Sequence, residues 1–141
     1  MTLRRLLYVS RCALPGEGHE RDLQVQTIAT AAAKRNREAQ ITGSLLHLGD
    51  TFIQVLEGPT AAVERTFEAI CCDFRHEDVK LLEILPMQER VFPEWGMALI
   101  GGDTETRVKL RDDLEEVRFL AGVNTRGAIA QMRRLLEEHR S

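Results

Sequence analysis

Cysteine is scarce in this chain: Cys12, Cys71 and Cys72 form an odd set, so no disulfide framework is expected. The adjacent pair falls on a helical stretch, where neighbouring side chains diverge instead of converging on a metal. All three read as reduced, structural thiols of a cytoplasmic protein. Long apolar runs are missing too. Nothing approaches the roughly 20 residues that cross a bilayer, and the stretch from Leu3 is broken by Ser10 and Arg11, too short for a signal-peptide core. There is no excess of one charge, since the formal net charge is −3 with acids and bases interspersed. That argues against nucleic acid or membrane as a partner. Also absent are paired carboxylates, a Ser-His-Asp set, and a His or Cys cluster at metal-ligand spacing. Gly16-Glu17-Gly18 lacks the third glycine of a dinucleotide fingerprint and reads as a loop.

What remains is an ordinary globular composition: 141 residues, 43% hydrophobic and 29% charged. A chain of this length removes about two-thirds of its unfolded surface from water and needs no covalent staple. Leu3 to Ser10 alternates as a strand, with Leu6, Tyr8 and Ser10 on one side and Leu7 and Val9 on the other. Asp22 is placed to cap a helix running to about Arg37, with Val25, Ala29, Ala32 and Asn36 inward. Ile41 to Leu48 and Phe52 to Glu57 form a hairpin about Gly49-Asp50. Thr60 can cap a second helix, with Val63, Phe67 and Ile70 inward, that ends near Asp73. Val79 to Met87 and Trp95 to Ile100 follow as strands.

The order βαββαββ predicts an α+β, ferredoxin-like fold: a mixed five-stranded sheet with two helices on one face, over residues 3–100. In this reading the strands carrying Tyr8 and Gln54 are parallel neighbours. The other sheet face would carry Leu7, Val9, Ile53, Val55 and Ile100, too apolar to meet water. Residues 104–140 supply a cover. Leu110, Leu114, Val117 and Ala121 form one stripe, Gly122 ends that helix, and Asn124 caps a second with Ile129, Met132 and Leu136, giving a C-terminal helical hairpin that docks on the sheet.

The informative anomaly is Gln54, a polar residue between Phe52 and Leu56 on a face that should be buried. An unpaired buried amide costs roughly 1–3 kcal/mol, so the protein or a ligand must hydrogen-bond it. Tyr8, Ser10 and Asn36 gather on the same side of the sheet, and Trp95 and Met97 share a face of the last strand. Such hydroxyl and amide groups suit a planar heterocycle. Gly43, mid-strand, fits close approach by a ligand or a helix backbone. Asp73, Arg75 and His76 read as a helix-end cap and surface ion pair, while His19, His47 and His139 carry no readable chemistry.

These segments, taken in order, resemble the BLUF domains, blue-light sensors that use flavin. The resemblance rests on Leu7-Tyr8-Val9-Ser10, Asn36 followed by Ile41-Thr42-Gly43, Phe52-Ile53-Gln54-Val55-Leu56-Glu57-Gly58, Asp73-Phe74-Arg75-His76, and Arg90-Val91-Phe92-Pro93-Glu94-Trp95-Gly96-Met97. It implies noncovalent FAD, which FMN or riboflavin can replace, held between the two helices. Tyr8, Ser10, Arg35, Asn36, Gln54, Asp73 and Met97 would hold the flavin. Tyr8, Gln54, Trp95 and Met97 would form the photoactive switch. Blue light would drive electron and proton transfer from Tyr8, after which the Gln54 amide rotates or tautomerises, shifting absorption to the red. The chain departs from the family pattern at Arg35, where Asn or His is common, and at Ala69, where a basic residue can stand near the phosphates; Arg65 lies one turn earlier.

Three functions stay open on the residues. One is a photoreceptor without a fused catalytic output domain, acting through its C-terminal helices on an unknown downstream protein or a second copy of itself. Another is a non-photochemical flavin- or ligand-sensing module, and a third is a small acylphosphatase-like hydrolase.

Overall fold

The computed structural model describes residues 2–73, 75–93 and 96–138. Strand β1 (Leu3–Cys12) leads to helix α1 (Gly18–Glu38), then β2 (Thr42–Leu48), β3 (Thr51–Pro59), α2 (Thr60–Cys71), β4 (His76–Met87) and β5 (Ala98–Ile100). Three helices follow: α3 (Thr104–Lys109), α4 (Arg111–Val123) and α5 (Thr125–Glu138). The five strands form one sheet in the order β4-β1-β3-β2-β5. It is mixed, because β2 and β5 run parallel. The fold is ferredoxin-like.

One expectation about the sheet is overturned. β1 and β3 are antiparallel, with Tyr8 directly opposite Gln54. Crossover through α1 sets β2 parallel to β1 one strand away, and the tight hairpin at Gly49-Asp50 reverses the chain into the gap. Periodicity had assigned the face correctly and the direction wrongly. The mid-strand Gly43 also has a different cause. A Cβ there would lie 1.9 Å from the Val55 carbonyl oxygen, so the close approach is by the paired strand and not by a ligand or helix.

Each sheet face buries its own cluster. Leu6, Tyr8, Leu45, Phe52 and Leu56 meet Val25, Ile28 and Val63 of the two crossover helices. Leu7, Leu46, Ile53, Val55 and Ile100 meet Leu114, Val117, Ala121, Ile129, Met132 and Leu135 of the tail. The inward residues shift slightly from the sequence reading: Ala33 is buried where Ala32 was expected, and Leu135 where Leu136 was expected. Phe67 and Ile70 are half-buried against the first cluster.

Helix ends differ more. Asp22 does not cap α1, which begins a turn earlier at Gly18. The Asp22 carboxylate is 2% exposed, pairs with Arg107 of α3 at 2.7 Å and accepts a hydrogen bond from the Thr104 hydroxyl at 3.1 Å. Its preference for a cap is outweighed by a charged partner far along the chain. His47, which carried no readable chemistry, is buried beside this pair and contacts the Gly49 carbonyl oxygen at 3.0 Å. Thr60 is the first residue of α2, which ends at Cys71, short of Asp73. In the tail, the chain breaks at Leu110 into a short α3, which Asp103 caps through the Thr106 N–H at 2.7 Å. Gly122 lies inside α4, and the helix ends only at Val123. Asn124 then accepts from the Gly127 N–H at 3.0 Å and caps α5.

Because the tail and the sheet share one buried cluster, they are expected to unfold together. Leu114→Ala removes a fully buried side chain and is expected to cost about 2–5 kcal/mol. Far-UV circular dichroism in urea should show one transition at a lower midpoint; a separate early loss of helix would mean the tail folds independently of the sheet.

Candidate functional site

Strand alternation places Tyr8 and Gln54 opposite each other on the face that α1 and α2 cover. The Tyr8 hydroxyl donates to Gln54 Oε1. Gln54 Nε2 donates to Met97 Sδ at 3.3 Å, which leaves its second N–H unused by this contact. Asn36, on the inward face of α1, donates through Nδ2 to the Gly96 carbonyl oxygen at 3.0 Å. Gly96 sits so close to α1 that a Cβ would lie 2.5 Å from the Ala33 carbonyl oxygen. Asn36 thereby seats the segment that brings Met97 onto Gln54.

Between α1 and α2 lies a cavity of about 490 Å³, within the size range of small-molecule sites. Arg35, Asn36, Gln54 and Asp73 line it, with Ala32, Ala69 and Ile70 as apolar wall. Tyr8, Ser10 and Met97 are buried behind that lining. Trp95 lies outside the described residues. Burial drives the Tyr8 phenol far above its ordinary range, with Cys71 and Asp73 adding to the effect, so it stays a neutral donor. Arg75 grips Asp73 through Nε at 2.9 and 3.0 Å and holds its carboxyl below the usual carboxylate range.

His76 was expected on the surface and is not there. It lines the cavity, with Nδ1 2.9 Å from Ser10 Oγ and its ring 5.0 Å from that of Phe52 and 6.1 Å from that of Tyr8. Burial lowers its pKa, which keeps the ring neutral. In sequence it closes a polar run, and only the pairing of His76 with Cys12 turns it inward.

Glu57 was missed, although the signal that exposed Gln54 applies to it. Ile53, Val55 and Glu57 share a strand face, and Glu57 is fully buried on it. Its carboxylate accepts from Arg5 Nε at 2.7 Å and from the N–H groups of Val91 at 3.0 Å and Phe92 at 2.7 Å. Arg90 reinforces the clamp by donating to the Gln40 and Glu57 carbonyl oxygens at 2.7 and 2.9 Å. The connection from β4 to β5 is thus pinned at one end by Glu57 and at the other by Asn36.

A narrow cavity with apolar walls, an amide N–H, an amide oxygen and guanidinium groups suits a planar heterocycle with a carbonyl edge and an anionic tail. The comparisons with known proteins agree. The family model described as "BLUF: Sensors of blue-light using FAD" matches residues 3–98. The chain belongs to the BLUF family. It is a blue-light sensor module that uses FAD. It is 41% identical over 95 residues to the photoactivated adenylate cyclase subunit beta of Euglena gracilis, covering 67% of this chain and 11% of that protein. It is 33% identical over 101 residues to the blue light- and temperature-regulated antirepressor BluF of Escherichia coli K12, covering 72% of this chain and 24% of that one. The chain therefore spans only a small part of these curated relatives. A solved structure, the dark state of the BLUF protein BlrB, superimposes with a TM-score of 0.77 at 28% identity, covering 97% of this chain and 96% of the other.

Two imidazoles of this BLUF domain, buried His47 and half-buried His76, are expected to contribute to its acid sensitivity. His47, through burial and then Arg107, and His76, through burial, are both held below their ordinary pKa. An unfolded imidazole titrates near ~6.5, so below that pH the unfolded chain takes up protons that the folded one refuses. Stability is expected to be flat above this range and to fall with pH toward the lowered folded values. Asp73, held below the carboxylate reference by Arg75, adds stability that is present through this range and is lost only at still lower pH, as its carboxylate is protonated. His76→Gln should shrink the difference in urea midpoint between pH 7.5 and pH 5; an unchanged difference would mean that His76 is not held neutral.

Proposed function

We propose that light switches the Gln54 amide between two hydrogen-bonding arrangements, and that the change leaves the site through Met97 and the β4–β5 connection toward the C-terminal helices. The observation that carries this reading is the pair of contacts Gln54 makes: Oε1 accepts from Tyr8 while Nε2 donates to Met97 Sδ. The two ends of an amide are nearly equal in size and opposite in hydrogen-bonding sense. Reversing them moves little volume, yet it withdraws the acceptor from Tyr8 and the donor from Met97. A thioether is a weak acceptor, so the Met97 contact is cheap to give up.

Bound FAD supplies the blue-light absorption and an electron-accepting ring. Asn36, Gln54, Arg35 and Asp73 would hold it from the cavity walls, with Ser10 acting through His76. Burial keeps Tyr8 a neutral phenol. A phenol that gives an electron to the ring becomes a strongly acidic radical cation whose charge the same burial disfavours, so its proton leaves with the electron. The hydroxyl already points at Gln54 Oε1, which makes that oxygen the first acceptor. A proton on Oε1 favours either the rotated amide or its tautomer. Residues 3–100 act as the sensing unit and 104–140 as the extension that meets an output partner, which we take to be a separate protein.

An absorption spectrum of the flavin-loaded chain before and after blue light tests this. A small, reversible red shift with the flavin still oxidised is expected; bound flavin with no shift would favour a non-photochemical flavin sensor. Tyr8→Phe is expected to keep flavin bound and abolish the shifted product, so an undiminished shift would remove Tyr8 from the switch. Gln54→Leu preserves approximate volume without the amide and is expected to bind flavin yet lose the normal photocycle; a wild-type photocycle there would eliminate the amide as the switching group.

A further inference from the structure

The tail presents two surfaces of opposite chemistry. On α4, Asp112, Glu116, Phe119 and Val123 recur at spacings of four, three and four and are all exposed, across the helix from buried Leu114, Val117 and Ala121. Phe119 is 69% and Val123 67% exposed, so this ridge holds apolar area that gains by leaving water. Asp112 and Glu116 make no ion pair among the described residues.

The second surface is a groove of about 250 Å³ between α5 and the edge strand β4. Leu85, Val91, Ile129 and Ala130 give it an apolar lining, and Arg126 and Arg133 reach it from α5. With Arg5, three guanidinium groups line the groove against the one carboxylate of Glu83. Arg5 is held by Glu57 and Arg133 by Glu137, whereas Arg126 makes no ion pair among the described residues. Arg126 also stands in the first turn of α5, which carries no acidic residue and where the helix dipole favours an anion.

We propose that a second copy of this chain seats its α4 ridge in the groove between α5 and β4, with Phe119 and Val123 on the apolar lining and Asp112 and Glu116 toward Arg126 and Arg133. Burial of Phe119, Val123 and Leu85, itself 45% exposed, supplies the attraction, and the charges select the surface. The contact joins two different surfaces, so it forms twice in a reciprocal pair or once at each step of a head-to-tail series. Val91 belongs to the groove and its N–H is held by Glu57, which rests the second copy on the connection that leads to Met97. This interface does not depend on the reading of the cavity as the flavin site.

Sedimentation velocity of the flavin-loaded chain, kept in the dark, tests the proposal. At low salt the weight-average mass is expected to rise with concentration above that of one chain, and to fall back as salt is added. Arg126→Glu with Arg133→Glu, or Asp112→Arg with Glu116→Arg, places like charges on both surfaces and should weaken self-association about tenfold. An equimolar mixture of the two double variants meets opposite charges at every contact, so association should return. All four positions are exposed, and an acid at position 126 suits the start of α5, so loss of folding does not imitate this pattern. A chain that stays monomeric at low salt and high concentration would overturn the proposal, as would association that neither double variant weakens or that their mixture fails to restore.

Discussion

The hydrogen bond from Tyr8 to Gln54 is the contact around which the site is organised. Two polar side chains face each other across adjacent strands, both on the face that the protein otherwise fills with Leu6, Phe52 and Leu56. An amide in that position has more hydrogen-bonding capacity than one phenol can satisfy, and each unmet group costs about 1–3 kcal/mol. Met97 takes up part of the remainder as a weak acceptor. The cavity takes the rest, since Gln54 lines it and turns its unused capacity toward a ligand. A buried amide left with a weak second partner is therefore what suits this site to a ligand and to the switching proposed for Gln54.

Much of this was legible in the chain because strand periodicity reports faces. It identified Tyr8 and Gln54 as sharing a face and divided Leu7, Ile53 and Val55 from Leu6 and Leu56. Periodicity carries no information about direction, which is why the β1–β3 pair was read as parallel; only the hairpin at Gly49-Asp50, traced through the sheet, reverses it. The same signal that exposed Gln54 was present at Glu57 and went unused, because a charged residue at a strand end also fits a solvated terminus. Asp22 failed for a related reason. A carboxylate near a helix start suits a cap, and nothing local distinguishes that role from a buried pair with Arg107. His76 and the break at Leu110 likewise depend on partners distant in sequence.

Glu57 gives the sheet a second polar centre on the opposite face from Gln54. Its carboxylate is buried against Arg5 and two backbone N–H groups of the segment that leads to Met97. Removing one partner from such a site leaves an uncompensated buried charge, so the clamp resists opening. Asn36 holds the other end of that segment at Gly96. Met97 is thus presented to Gln54 with described residues held on either side of the connection, Val91 and Phe92 by Glu57 and Gly96 by Asn36.

Helix α1 provides a second connection between cavity and tail. Near its C-terminus Asn36 is tied to Gly96, and near its N-terminus Asp22 is tied to Arg107 of α3. Arg107 also donates to the Gly101 carbonyl oxygen at 2.8 Å, next to the end of β5. Because the Asp22 carboxylate is almost fully buried, separating the pair would strand a desolvated charge, and α3 is held to α1 more firmly than to water. Asn36 and Asp22 thus tie α1 to both the β5 approach and α3, while the strand that carries Gln54 packs Ile53 and Val55 of its other face against α4 and α5. Both sets of contacts end in the tail, so its seat on the domain is built from helix and sheet together and not from either alone.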